Sequence, residues 1–101
     1  MGRVIWTEPA LADVQEIVRF ISKDSPRYAE KLANRIAEAP RGLGSHPQSG
    51  GRVPEFDRDD IREILVNPYR ILYCIKDSDC YVVAVIHGAR DLPAAVYPAT
   101  P

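Results

Sequence analysis

Five side chains in the second half of this sequence have types suited to phosphodiester chemistry: Glu55, Arg62, Arg70, His87 and Arg90. Metal-free cleavage of RNA needs a base for the 2′-OH proton, a cation for the phosphate, and an acid for the leaving 5′-oxygen. Glu55 is the candidate base, Arg70 the candidate phosphate clamp and His87 the candidate acid. The same residues also have ordinary structural roles. Arg62 and Arg70 lie near strand starts, where they can pair with Glu55, Glu63 or the acidic Asp57–Asp60 turn. His87, at a strand end, can satisfy a backbone carbonyl. Arg90-Asp91 reads as a local ion pair or a surface turn. For Arg70 and His87 the structural roles are favoured.

Other chemistries lack their motifs. His46 and His87 are the only histidines and the cysteine spacing is wrong, so no metal site is expected. Gly50-Gly51 runs into Arg52-Val53-Pro54 rather than a helix, which is not a phosphate-binding loop. No serine or cysteine nucleophile has a motif around it, and Asp57, Asp59 and Asp60 read as a solvated turn. No cofactor is expected. The formal net charge of −1 argues against a dedicated nucleic-acid binder, whose affinity rests on cations meeting phosphates. No direct nucleic-acid binding by the chain alone is expected. Tyr69 and Tyr73 share one face of a strand, and Tyr73 is assigned to core packing. Cys74 and Cys80 sit on two arms of one hairpin and read as free buried thiols of a reducing cytoplasm. No apolar run approaches the roughly 20 residues of a membrane span, and no signal peptide precedes Trp6. The expectation is a soluble cytoplasmic protein.

The elements that must position these residues follow from the patterning. With 101 residues, 46% of them hydrophobic, the chain suits one domain, here 3–91, with a Pro-rich tail over 92–101. Arg3–Trp6 is a short strand. Thr7-Glu8-Pro9 starts a helix, with Thr7 as N-cap, Glu8 on the positive dipole end and Pro9 in the first turn. Leu11, Val14, Ile17, Val18 and Ile21 recur at helical spacing, with Asp13, Gln15, Glu16 and Arg19 on the other face. Ser25-Pro26 starts a second, Ala-rich helix to about Glu38, with Ala29, Leu32, Ala33 and Ile36 on one face. The short connection predicts an antiparallel helical hairpin. Residues 44–60 read as loop. Three strands follow: Ile61–Val66, Arg70–Lys76 and Tyr81–His87. YVVAVIH is almost continuously apolar and is expected to be central and covered on both faces. The fold class is α+β, β-α-α-β-β-β, with the hairpin on one face of a small, mostly antiparallel sheet and the other face concave. Val83 and Val85 belong to the central strand, and Leu11, Val14, Val18, Leu32 and Ile36 to the helix–sheet core.

Five stretches in this order, VIWTEPALADVQEIVRFI, SPRYAEKLANRI, HPQSGGRVPE, IREILVNPYRILYCI and VVAVIHGARD, resemble the RelE/ParE superfamily of toxins of type II toxin–antitoxin modules. The resemblance covers about residues 3 to 92 and implies the fold just derived. RelE-like members cut messenger RNA on the ribosome; ParE-like members poison DNA gyrase and are not enzymes in their own right. The wording TEPALADVQEIVRFI and HGARD, the charge of −1 and the lack of a basic, tyrosine-rich ending favour ParE. Glu55 and Arg70 fall where the related nucleases carry a catalytic Glu and Arg, and His87 within about a residue of their catalytic His. The implied function is gyrase inhibition, with no catalytic residues, and neutralisation by a ParD-type antitoxin. The alternatives are a ribosome-dependent endoribonuclease using Glu55, Arg70 and His87, or an inactive antitoxin-binding module. The start of the first helix and the Ala-rich second helix are the expected docking surfaces.

Overall fold

The computed structural model describes residues 2–88. The strands are β1 (Val4–Trp6), β2 (Gly51–Arg52), β3 (Ile61–Val66), β4 (Tyr69–Lys76) and β5 (Asp79–His87), and the helices α1 (Glu8–Ser22) and α2 (Pro26–Glu38). They form one five-stranded sheet in the order β1-β5-β4-β3-β2. β1 runs parallel to β5 and the other pairs are antiparallel. β4 holds the middle position. β5 is one place from the centre, and five consecutive residues, Val82–Ile86, are buried.

The helix starts work as their residues dictate. The Thr7 hydroxyl accepts the Ala10 N–H at 3.4 Å and also donates to the Val82 carbonyl at 2.8 Å. One side chain therefore caps α1 and ties its first turn to β5. Ser25 accepts the Tyr28 N–H and caps α2. Ala10 of α1, Leu32 and Ile36 of α2, and Val66, Ile71, Val82 and Val85 of the sheet make the helix-side core. Truncating Leu32 or Ile36 to Ala is expected to cost about 2–5 kcal/mol.

Three expectations need correction. Leu11 is 46% exposed, because it lines an open cleft between the helices rather than the core. Val14 and Val18 are only half-buried. The stretch 44–60 is not bare loop: two 3₁₀ turns, Ala39–Gly44 and Pro47–Ser49, and the short β2 organise it. Apolar residues within it and just before it are anchors. Leu43 packs with Tyr73 and Cys80 on the helix side, and fully buried Val53, with Phe56, covers the far side of the sheet. That far side is thus partly roofed by this segment.

A β-bulge decides which way β5 points. Leu72 pairs with Ala84 but Tyr73 pairs with Val82, so Val83 is an extra residue. Val83 and Ala84 both join the far-side cluster with Ile61, Leu72 and Cys74. Alternation then resumes one step out of phase, and Val85 returns to the helix side. The buried thiols Cys74 and Cys80 lie on opposite faces and are free, and burial raises both pKa values.

Candidate functional site

Arg70 sits on β4 facing the far side, with Ile86 and Leu65 as its cross-strand neighbours. An arginine there is 9% exposed and needs partners. It has two. Its Nε donates to Glu63 Oε1 at 2.6 Å, and its two terminal nitrogens donate to the two Glu55 oxygens at 2.9 Å each. The second contact is a fork-to-fork pair, the strongest geometry for this ion pair. Glu63 comes from β3. Glu55 comes from the turn after buried Val53, which hydrogen-bonds Ile61 across the gap. The bond from Arg70 holds the Glu55 carboxyl below its ordinary value, and the same bond raises the guanidinium pKa further. Glu55 is therefore a weakened base, and the cation is already balanced by two carboxylates. Gly88 lies close over this knot: a Cβ there would be 3.0 Å from the Pro68 carbonyl and 3.7 Å from Arg70 Cγ.

His87 is elsewhere. Its cross-strand neighbour is Tyr69, and the two rings meet edge to face at 5.6 Å between centroids. The bulge at Val83 turns it to the helix side, where it lines a cleft with Asp13, Glu16, Ile17 and Phe20 of α1. Glu55 and Arg70 are brought together; His87 is separated from them by the sheet. Arg90 lies outside the described residues, as do Asp91 and the 92–101 tail.

Arg62 braces the 47–60 segment. Its Nε donates to the Asp59 carbonyl at 2.9 Å, and Nη1 to the Gly50 and Gln48 carbonyls at 2.8 and 3.3 Å. Tyr73 works from the neighbouring strand. Its hydroxyl donates to the Pro47 carbonyl at 2.7 Å and accepts the Gly50 N–H at 3.0 Å. At Gly50 a Cβ would fall 2.6 Å from that hydroxyl, so the close approach needs glycine.

Sequence reasoning missed Asp13. The helical pattern assigns it to the polar face of α1, but its carboxylate accepts the Val85 N–H at 2.9 Å. Burial, aided by Glu16, raises its pKa against the lowering effect of that bond. Nothing in the local sequence marks it, because its donor is a backbone group 72 residues away.

A helical hairpin on a five-stranded mixed sheet, with a paired Glu–Arg knot and an open inter-helix cleft, defines a small α+β domain. The family described as the ParE toxin of the type II toxin–antitoxin system parDE matches residues 4–92, and the chain belongs to that family. Toxin RelE2 of Caulobacter vibrioides is 34% identical over 91 residues, covering 89% of this chain and 99% of the relative. Toxin ParE3 of the same organism is 29% identical over 95 residues, covering 93% and 94%. The putative toxin Y4kP of Sinorhizobium fredii is 33% identical over 93 residues, covering 90% and 93%. Among solved structures, a chain of the chromosomal ParDE system from P. aeruginosa superposes with a TM-score of 0.71 over 86% of this chain and 96% of the other. At 21% identity that likeness speaks for the fold. No helix among the described residues is long and apolar enough to cross a membrane.

Proposed function

We propose that this toxin acts in the cytoplasm by inhibiting DNA gyrase, without catalytic residues of its own, and is neutralised by a ParD-type antitoxin. The observation that carries the reading is the separation of Arg70 from His87. A ribonuclease of the kind considered above needs a phosphate clamp and a general acid converging on one phosphate. Here the clamp candidate is buried between Glu55 and Glu63, and the acid candidate lies across the sheet beside α1. The formal charge of −1 supports the same reading, because docking on ribosomal RNA rests on cations.

The antitoxin reading is supported by the cleft of about 230 Å³ between the helices, lined by Trp6, Leu11, Val14, Ala33, Ile36 and Ala37. Small Ala33 and Ala37 lower its floor, and Leu11 stands exposed at its rim. Such a groove suits the apolar face of an amphipathic helix that folds as it binds. The ribonuclease reading keeps one supporting observation: Glu55 and Arg70 do meet, in a family whose relatives carry both RelE and ParE names.

The deciding experiment gives purified toxin to gyrase and supercoiled DNA, and separately to translating ribosomes. Loss of supercoiling with accumulation of cleaved DNA is expected, with messenger RNA left intact. Ribosome-dependent cleavage of messenger RNA by a gyrase-inert protein would sink the proposal.

A further inference from the structure

The cleft beside α1, about 590 Å³ in volume, is distinct from the inter-helix groove: the two share no lining residue. Its apolar wall is Ile17, Phe20 and Tyr69, and Phe20 is 70% exposed, more than any other large hydrophobic described. Its polar part is acidic. Asp13 is engaged with the Val85 N–H, but Glu16 is exposed and accepts no hydrogen bond from any described residue. None of the described lining residues is Lys or Arg. The cleft therefore sets unbalanced negative charge beside exposed aromatic surface.

The chain itself brings a matching segment to this place. β5 ends at His87, which lines the cleft, and the next residue, Gly88, donates its N–H to the Pro68 carbonyl at 2.7 Å. That bond fixes the point from which residues 89–101 depart. Their sequence, ARDLPAAVYPATP, holds a single cation, Arg90, two residues after that point. Leu92 follows with the same parity. Two extended residues span about 7 Å, so Arg90 starts within reach of the cleft. Pro93 has φ fixed by its ring, which lowers the freedom lost on docking. A tethered segment also acts at an effective concentration of millimolar order, so a contact too weak for a separate partner is enough.

We propose that the segment following Gly88 returns as a strap into the cleft between α1 and the end of β5, with Arg90 paired to Glu16 and Leu92 seated against Ile17 and Phe20. Asp13 keeps its bond to Val85 and adds negative charge to the seat. The strap hides aromatic surface that the lone toxin would otherwise present to water. Any protein that binds this face must displace it first, at a cost to apparent affinity. Both sides of the contact belong to this chain, so it depends on neither the gyrase nor the antitoxin reading.

The test uses the full-length toxin with Ala94→Cys carrying a nitroxide. Cys74 and Cys80 are buried, and wild type treated alike controls for their labelling. Paramagnetic broadening of amide signals is mapped, and spin-labelled chains are also mixed with separate isotope-labelled chains. Broadening within one chain is expected at Ile17 and Phe20, with Val53 and Phe56 on the far side left sharp. Glu16→Lys changes an exposed position, and its fold is checked by its melting temperature. It should lower the docked fraction about fivefold at low salt. Adding Arg90→Glu to it should restore the broadening. Sharp signals at Ile17 and Phe20, or broadening at Val53 and Phe56 instead, overturn the proposal. Broadening that passes between separate chains means a second copy fills the cleft and also overturns it. Broadening at Phe20 that ignores both charge reversals removes the Arg90–Glu16 pairing, and the proposal falls with it.

Discussion

Arg70 and His87 belong to neighbouring strands, yet their side chains leave the sheet in opposite directions. Arg70 is registered against Ile86 and His87 against Tyr69. The guanidinium goes to Glu55 and Glu63 on one side, and the imidazole goes to the α1 cleft on the other. Proximity along the ladder is therefore not proximity at a reacting atom. A pair like this cannot share one phosphate without a change of register.

On the gyrase reading, Glu55→Ala combined with His87→Ala should leave growth arrest intact. His87 is exposed, and its loss should not unfold the chain. Glu55 is half-exposed, so its loss leaves Arg70 with Glu63. The measurement is growth arrest and DNA-damage signalling at matched protein levels. A ribonuclease losing both base and acid would instead fall by about 10²–10⁴-fold per group.

Arg70→Ala should be far more damaging to the fold than either partner's loss. It strands Glu63, whose side chain is only 16% exposed, beside a fully buried Leu72. Removing one member of such a buried pair costs about 3–5 kcal/mol, reduced somewhat here because Glu55 is open to water. Urea unfolding should show this as a lower midpoint with an unchanged slope. Glu55→Gln should cost less than half as much.

Acid should loosen the same knot. Arg70 holds Glu55 below its ordinary value of 4.5, so in that range the unfolded chain takes up a proton more readily than the folded one. The stability from this pair is fully present above pH 4.5 and is lost as pH falls through the depressed folded value. Asp13 acts with the opposite sign, because its folded value is raised and acidification through that value favours the native state. Urea midpoints between pH 7 and pH 3 should fall less steeply for Glu55→Gln than for wild type. Asp60, lowered by the Arg58 guanidinium, and Asp79, lowered chiefly by the Arg3 backbone N–H, leave the variant some acid sensitivity. Identical profiles for the two proteins would contradict the assignment.

Tyr73→Phe should release the 47–50 turn while sparing the core. The ring stays buried, but the Pro47 carbonyl and the Gly50 N–H lose their partner. The expected cost is about 1–3 kcal/mol. Hydrogen exchange should quicken at Gly50 and remain slow at Ile71 and Leu72.

Much of the architecture was legible because its signals are local. Thr7 and Ser25 announce the helices, Leu32 and Ile36 repeat at helical spacing, and β3 runs over Ile61–Val66 as its pattern predicts. The Arg70–Glu55–Glu63 contact was legible as one of two roles for the same residues, since an arginine on a buried strand must find acids. Three features left no local trace. Leu43 and Val53 are isolated apolar residues among Gly and Pro, with no period to betray their burial. Asp13 is defined by a distant backbone donor. The bulge lies in a run so uniformly apolar that a shift of one residue changes no hydrophobic pattern.

That last point reaches beyond this chain. Were Val83 taken into the ladder opposite Leu72, every candidate residue would be kept and the later part of β5 would slip one place along β4 into simple alternation. His87 would then leave from the side that holds Glu55 and Arg70, and Val85 would trade places with Ile86. Whether an acid, a cation and an imidazole can meet is thus a matter of counting, not of inventory. Two chains of this architecture with the same three residues can differ in competence by one step of strand register.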